Sequence, residues 1–187
     1  MKAVRTATLL CLAIALVTPA LAASPAAKHS KPLDIRAFYG EWQGAAEARS
    51  EADEDFSTTN RDIAVSMKPT DLGGFVLSWS TLQRQKGDPQ APTEVLKSTA
   101  VEFIPTAEAN RWQAKTKANV YEGGILYWAR LDADTLTIST FTIGKDGKPE
   151  LQTYRRKVTA NKMRLEFSNI KDGEVVRVVS GNLTKTQ

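Results

Sequence analysis

Few of the 187 residues carry side chains able to do covalent or metal chemistry. Cys11 is the single cysteine and His29 the single histidine. Cys11 lies in an apolar N-terminal stretch, and His29 follows Lys28 in a polar, Pro-containing lead, residues 24–33. These two positions exclude a Cys nucleophile, a Cys/His zinc site and a disulfide framework, and they leave almost no imidazole base. Tyr39, Tyr121, Tyr127 and Tyr154 are of a type that ligates haem iron, but His29 precedes the folded region, so no cofactor is expected. Glu51, Asp53 and Asp55 alternate like the acids of a calcium loop, yet the Asx-Gly that completes such a loop is missing. Residues 47–55 therefore read as a solvated acidic loop, and no metal site is expected. Glu102 and Glu166 alternate with polar neighbours and read as solvent-facing. No pair of carboxylates and no Ser with a base comes together, so the chain is not expected to be an enzyme.

The cations are more informative. Arg155-Arg156-Lys157, with Lys162 and Arg164 close behind, is the densest basic run. On a strand Arg155 and Lys157 face one way and Arg156 the other, so the run is no continuous stripe and reads as a solubilising surface. The formal charge is +4. Without residues 1–22, which hold Lys2, Arg5 and no acid, 23 bases oppose 21 acids and +2 remains. Nucleic acid is accordingly not an expected partner. Arg177 alternates with Val175 and Val179, a spacing that would aim a cation into an apolar interior, but Val176 and Val178 are apolar too, so alternation leaves its face open. Tyr154 and Arg130 are candidates of the same kind. Inward guanidinium and phenol groups at such positions suit the anionic head of a small amphipathic ligand.

The elements that must position these groups are strands. Turn chemistry recurs every 10–17 residues or so, at Gly73-Gly74, Gly123-Gly124, Asp146-Gly147 and Asp172-Gly173 among others. The two Asp-Gly pairs are hairpin signals, because both residues tolerate positive φ. Between the turns apolar residues alternate: Ile63, Val65 and Met67; Phe75, Leu77 and Trp79; Val95, Val101 and Phe103; Leu126 and Trp128; Leu136 and Ile138; Met163, Leu165 and Phe167. About ten strands are predicted, over 40–48, 60–69, 74–84, 93–104, 110–118, 124–131, 135–144, 149–158, 162–170 and 174–185. Residues 33–39 read as one short helical turn. An all-β antiparallel meander of about 8–10 strands removes its exposed edges by closing into an up-and-down barrel, and a barrel of that size can enclose a small ligand. The domain organisation follows. Residues 1–22 read as a signal peptide, with Lys2 and Arg5 before an apolar core and Ala20-Leu21-Ala22 as cleavage site. Residues 23–33 form a flexible lead, and residues 34–187 a single barrel domain. The apolar run is too short for a transmembrane span, which places the mature chain in the periplasm or outside the cell.

At Phe38-Tyr39-Gly40-Glu41-Trp42 the chain resembles the opening of a calycin, the superfamily of lipocalins and fatty-acid-binding proteins. The shared mark is a helical turn followed by Gly-x-Trp on the first strand. The resemblance implies a barrel in which Gly40 and Trp42 close one end, with a late-strand cation packed over the indole, for which Lys185 and Arg177 are the candidates. It also implies non-covalent binding of a small apolar or amphipathic molecule, with inward Arg and Tyr holding a carboxylate as in fatty-acid-binding proteins. The competing reading is an envelope structural or protein-interaction module whose barrel is packed solid. An outer-membrane barrel is disfavoured, because the chain ends Thr184-Lys185-Thr186-Gln187 without a terminal aromatic and no aromatic girdle recurs.

Overall fold

The computed structural model describes residues 33–50, 58–84 and 94–186. The signal-peptide and lead assignments, His29 and most of the acidic loop lie outside them. Ten strands follow one another: β1 (Gly40–Ser50), β2 (Thr58–Pro69), β3 (Phe75–Arg84), β4 (Glu94–Pro105), β5 (Arg111–Ala114), β6 (Leu126–Asp132), β7 (Thr135–Ile143), β8 (Pro149–Thr159), β9 (Lys162–Lys171) and β10 (Glu174–Lys185). Each pairs antiparallel with its sequence neighbour, and β1 pairs with β10, so the sheet closes on itself. The described helices are 3-10 turns alone, at Ile35–Phe38, Asp71–Gly73 and Val120–Glu122. The meander is thus the expected one, and the turn before β1 is a 3-10 turn capped by the Asp34 carboxylate, which accepts from Arg36 N–H.

Local chemistry explains the closure. Gly40 has φ 121°, a conformation open to glycine and strained for any side chain, and it admits the chain from the 3-10 turn into β1. A Cβ on Gly44 would stand 2.1 Å from the Asn182 carbonyl oxygen, so β1 and β10 approach as closely as they do only because that position is bare. At the β9–β10 turn Asp172 (φ 54°) and Gly173 (φ 85°) both adopt positive φ, the two-residue geometry that matches strand twist.

One half of the interior is packed. Phe38, Trp42, Met67, Phe75, Leu77, Phe103, Leu136, Ile138, Met163 and Leu183 are all fully buried there. The Trp42 indole donates to the Phe38 carbonyl (3.0 Å), and Trp112 donates to that of Gly73 (3.0 Å). Lys185 stands opposite Trp42 in the β1–β10 register, with its Nζ 5.3 Å from the ring centroid. The late-strand cation over the indole is therefore Lys185; Arg177 lies far along the same strand, opposite Ser50.

Two strand expectations need correction. The fifth strand ends at Ala114 rather than 118, since Lys115 N–H makes a last bond to Glu102 and the chain then turns towards the 3-10 turn Val120–Glu122. On β6 the inward residues are Tyr127, Ala129 and Leu131, whereas Leu126 and Trp128 face out, each 41% exposed. Leu126 belongs to an outer row, Leu126, Phe141, Leu151, Ile170 and Val175, paired in register across β6 to β10.

Candidate functional site: a cationic cavity in the barrel

Toward the other end, near Ser50 and the Asp172-Gly173 turn, the inward positions stop being purely apolar. They line a partly open cavity of about 220 Å³ between β2, β3, β4, β8, β9 and β10. That is roughly seven times one water's share of liquid volume (~30 Å³) and smaller than most drug-sized pockets. The walls divide by chemistry. Ile63, Leu165, Phe167 and Val179 continue the core, and Trp79 and Tyr154 add two more rings. Tyr154 bridges the aromatics, with its centroid 5.3 Å from Trp79 and 4.7 Å from Phe167. Against this wall stand Arg61, Arg156, Arg177 and Lys97. No carboxylate lines the cavity among the described residues.

Arg156 dominates the electrostatics. Strand alternation puts it inward between Tyr154 and Val158, opposite Leu136 on β7 and Leu165 on β9. It is 1% exposed, and none of its three guanidinium nitrogens has a hydrogen-bond partner. Its support consists of rings, with the guanidinium carbon 5.7 Å from the Trp79 centroid and 5.5 Å from that of Tyr154. Such contacts are worth on the order of 0.5–2 kcal/mol each, against a desolvation penalty of several kcal/mol. Burial pushes its pKa down to about 10, with Tyr154 acting in the opposite sense, so at neutral pH the group is still a cation. Arg61 Nε is likewise buried without a partner; burial lowers its pKa first, and the neighbouring Arg177 charge lowers it further.

A polar chain leads away from the rings. The Tyr154 hydroxyl donates to Gln152 Oε1 (2.8 Å), while Gln152 (2.6 Å) and Asn169 (2.9 Å) both donate to Glu150 Oε1. Burial pushes the Tyr154 phenol up to about 12. It is a neutral hydrogen-bonding group across the ordinary pH range, and its oxygen can still accept.

The structure brings together two of the three residues proposed from sequence, Arg177 and Tyr154, in one cavity. It separates the third. Arg130 is on the outer face of β6, half exposed and 2.6 Å from Asp132, because Ala129 and Leu131 take the inward positions. The basic run also needs correction. Arg155 and Lys157 are surface groups paired with Glu166 and Asp134, but Arg156 is among the most buried side chains in the barrel. Arg61 was missed as well, although it stands two residues before the inward Ile63.

No protein-family model and no curated protein matches the sequence. Among solved structures, the S-type phycobiliprotein lyase CPES from Guillardia theta is similar in fold, with TM-score 0.54 and 8% identity over 81% of this chain and 90% of that one. A protein of unknown function from the DUF3598 family of Nostoc punctiforme superposes with TM-score 0.55 and 14% identity over 83% of this chain, which spans 51% of that longer one. Both are calycin-like ten-stranded barrels. This chain has the calycin-like fold. At such low identity the likeness concerns the fold alone, and the function must be argued from the calycin-like barrel's own cavity.

Proposed function

We propose that this calycin-like barrel is an exported protein that binds a small amphipathic anion non-covalently in its cavity. The observation that carries the reading is Arg156, a buried guanidinium with no hydrogen-bond partner. A buried cation without a counter-charge is costly, and an anionic head group supplies both the charge and the acceptors that the guanidinium fork lacks. The aromatic and aliphatic wall accounts for an apolar body lying against it. Binding rather than turnover is favoured because, among the described residues, the lining offers cations, hydroxyls, an amide and a phenol, with no thiol, imidazole or carboxylate. Export rests on the leader pattern of residues 1–22. N-terminal sequencing of the exported protein should start within a residue or two of Ala23; a start at Met1 in a membrane fraction would refute it.

Isothermal titration with benzoate, benzenesulfonate and neutral benzyl alcohol tests the binding reading. Saturable one-to-one binding of the anions is expected, with none of the alcohol. Truncating one partner of a buried charge pair costs about 2–5 kcal/mol, so Arg156→Met should weaken the anions at least thirtyfold or so. Equal binding by the variant, or failure of wild type to bind any anion including phenyl phosphate, defeats the reading. A second reading, an interaction module, draws on the outer apolar row from Leu126 to Val175. Concentration-independent sedimentation as a monomer would count against self-association through it.

A further inference from the structure

We infer that the cavity's ligand is a phosphomonoester of a small, flat apolar group, an assignment that rests on the anion-binding reading above. A single carboxylate docked on Arg156 would leave Arg61, Arg177 and Lys97 still sharing the cavity. Arg61 keeps a buried Nε without a partner and lies within electrostatic reach of Arg177. The described carboxylate that the hydrogen bonds tie to this region is Glu150, and its Oε1 is already occupied by Gln152 and Asn169. Lys97 is exposed to solvent, but among the described residues one acid does not balance the three arginines.

A phosphomonoester carries about −1.5 to −2 charge at neutral pH and three strong acceptor oxygens. Three oxygens can be shared between Arg156 on β8 and the Arg61–Arg177 pair contributed by β2 and β10, which a two-oxygen monoanion cannot do as well. The rest of the ligand is read from the wall: Trp79, Tyr154 and Phe167 pack against one another, with neighbouring centroids 5.3 and 4.7 Å apart, as one continuous aromatic surface against which a flat apolar group can lie. Free phosphate lacks that body and would leave the aromatic half of the cavity unused.

The test is isothermal titration of the full domain, in a phosphate-free buffer, with phenyl phosphate, benzenesulfonate, benzoate and inorganic phosphate. At about pH 7.5, where the ester is mostly a dianion, phenyl phosphate should bind at least tenfold tighter than either monoanion and tighter than inorganic phosphate. At about pH 5, below the second phosphate pKa of about 6, that advantage should shrink to threefold or less. Benzenesulfonate, whose charge is fixed, reports any change that acid makes in the protein itself. Arg177→Met and, separately, Arg61→Met should each narrow the gap between phenyl phosphate and benzenesulfonate at about pH 7.5 to about threefold or less, since the second charge of the ester is what those cations answer. Monoanions binding as tightly as phenyl phosphate overturn the phosphomonoester but leave the anion reading standing. Inorganic phosphate matching phenyl phosphate overturns the ester body. No binding by any anion overturns both. The wild-type series decides by itself if a variant fails to fold.

Discussion

Replacing Arg156 by Met should make the empty protein more stable and the site useless. The guanidinium is 1% exposed and lacks any hydrogen-bond partner. Its pKa falls from the ordinary guanidinium value to about 10 through burial, and at ~1.4 kcal/mol per tenfold change that fall represents on the order of 3 kcal/mol of strain on the charged form. The contacts with Trp79 and Tyr154 return roughly 1–2 kcal/mol of it. Methionine keeps the apolar stem against Leu136 and Leu165 and removes the charge, so a net gain of about 1–2 kcal/mol is expected. For a domain of this size that raises the melting temperature by roughly 2–8 °C. Urea denaturation of the ligand-free proteins, compared at equal m-value, gives the number directly. A loss of about 3–5 kcal/mol would refute the reasoning, because that is the signature of breaking a buried ion pair and would mean that a carboxylate of this chain already partners Arg156.

Trp42→Ala, at the closed end, should cost about 3–5 kcal/mol whether or not ligand is present, since the indole is fully buried, donates to Phe38 and carries Lys185 over its face; an unchanged calorimetric melting curve would deny it the role of plug. Gly44→Ala should destabilise by more than about 2 kcal/mol, because the new Cβ meets the Asn182 carbonyl at the β1–β10 seam, and a wild-type midpoint in urea would contradict so close an approach. Tyr154 should be the slow member in an ultraviolet phenolate titration, ionising near pH 12, and Tyr154→Phe should remove that late step. Since its folded pKa is raised above the unfolded one, the stability it contributes is complete below about pH 10 and is lost as pH rises towards 12; unfolding midpoints that stay level across that window would contradict the burial.

Much of the fold was legible because it is written in local chemistry. Gly40 needs positive φ, Asp172-Gly173 needs two such residues in succession, and the alternation of Ile63, Val65 and Met67 or of Met163, Leu165 and Phe167 reports a single buried face. Alternation failed on β6 because its apolar residues are on both faces: Leu126 and Trp128 face out, only Leu126 of the two joining the outer row, while Ala129, small and weakly hydrophobic, takes the inner position. The cavity was half legible. Arg177 stands out because it alternates with the buried Val179, although a bulge between Val175 and Arg177 leaves Val175 on the outer face; Tyr154 alternates with Gln152 and Arg156, so its ring rather than its neighbours marked it. Arg156 has a parity signal too, falling between Tyr154 and Val158, but its basic neighbours Arg155 and Lys157 disguise it as part of a charged surface. Residue type suggested solvent and position dictated the interior; position won because Leu136 and Leu165 pair on either side of it. That Arg61 comes within reach of Arg177 depends on closure of β1 onto β10, a long-range pairing that no local pattern encodes.

On the binding reading, an external anion and not a group of this chain neutralises Arg156. Side-chain Nε–H resonances of isotope-labelled protein test it most directly, with the Arg156 signal assigned by its disappearance in Arg156→Met. Titrating wild type with phenyl phosphate should move that signal to a new, saturable position and slow its exchange with solvent, with the same midpoint as the calorimetric isotherm. An Arg156 signal that stays in place while the ligand saturates would show that the anion binds elsewhere and contradict the account.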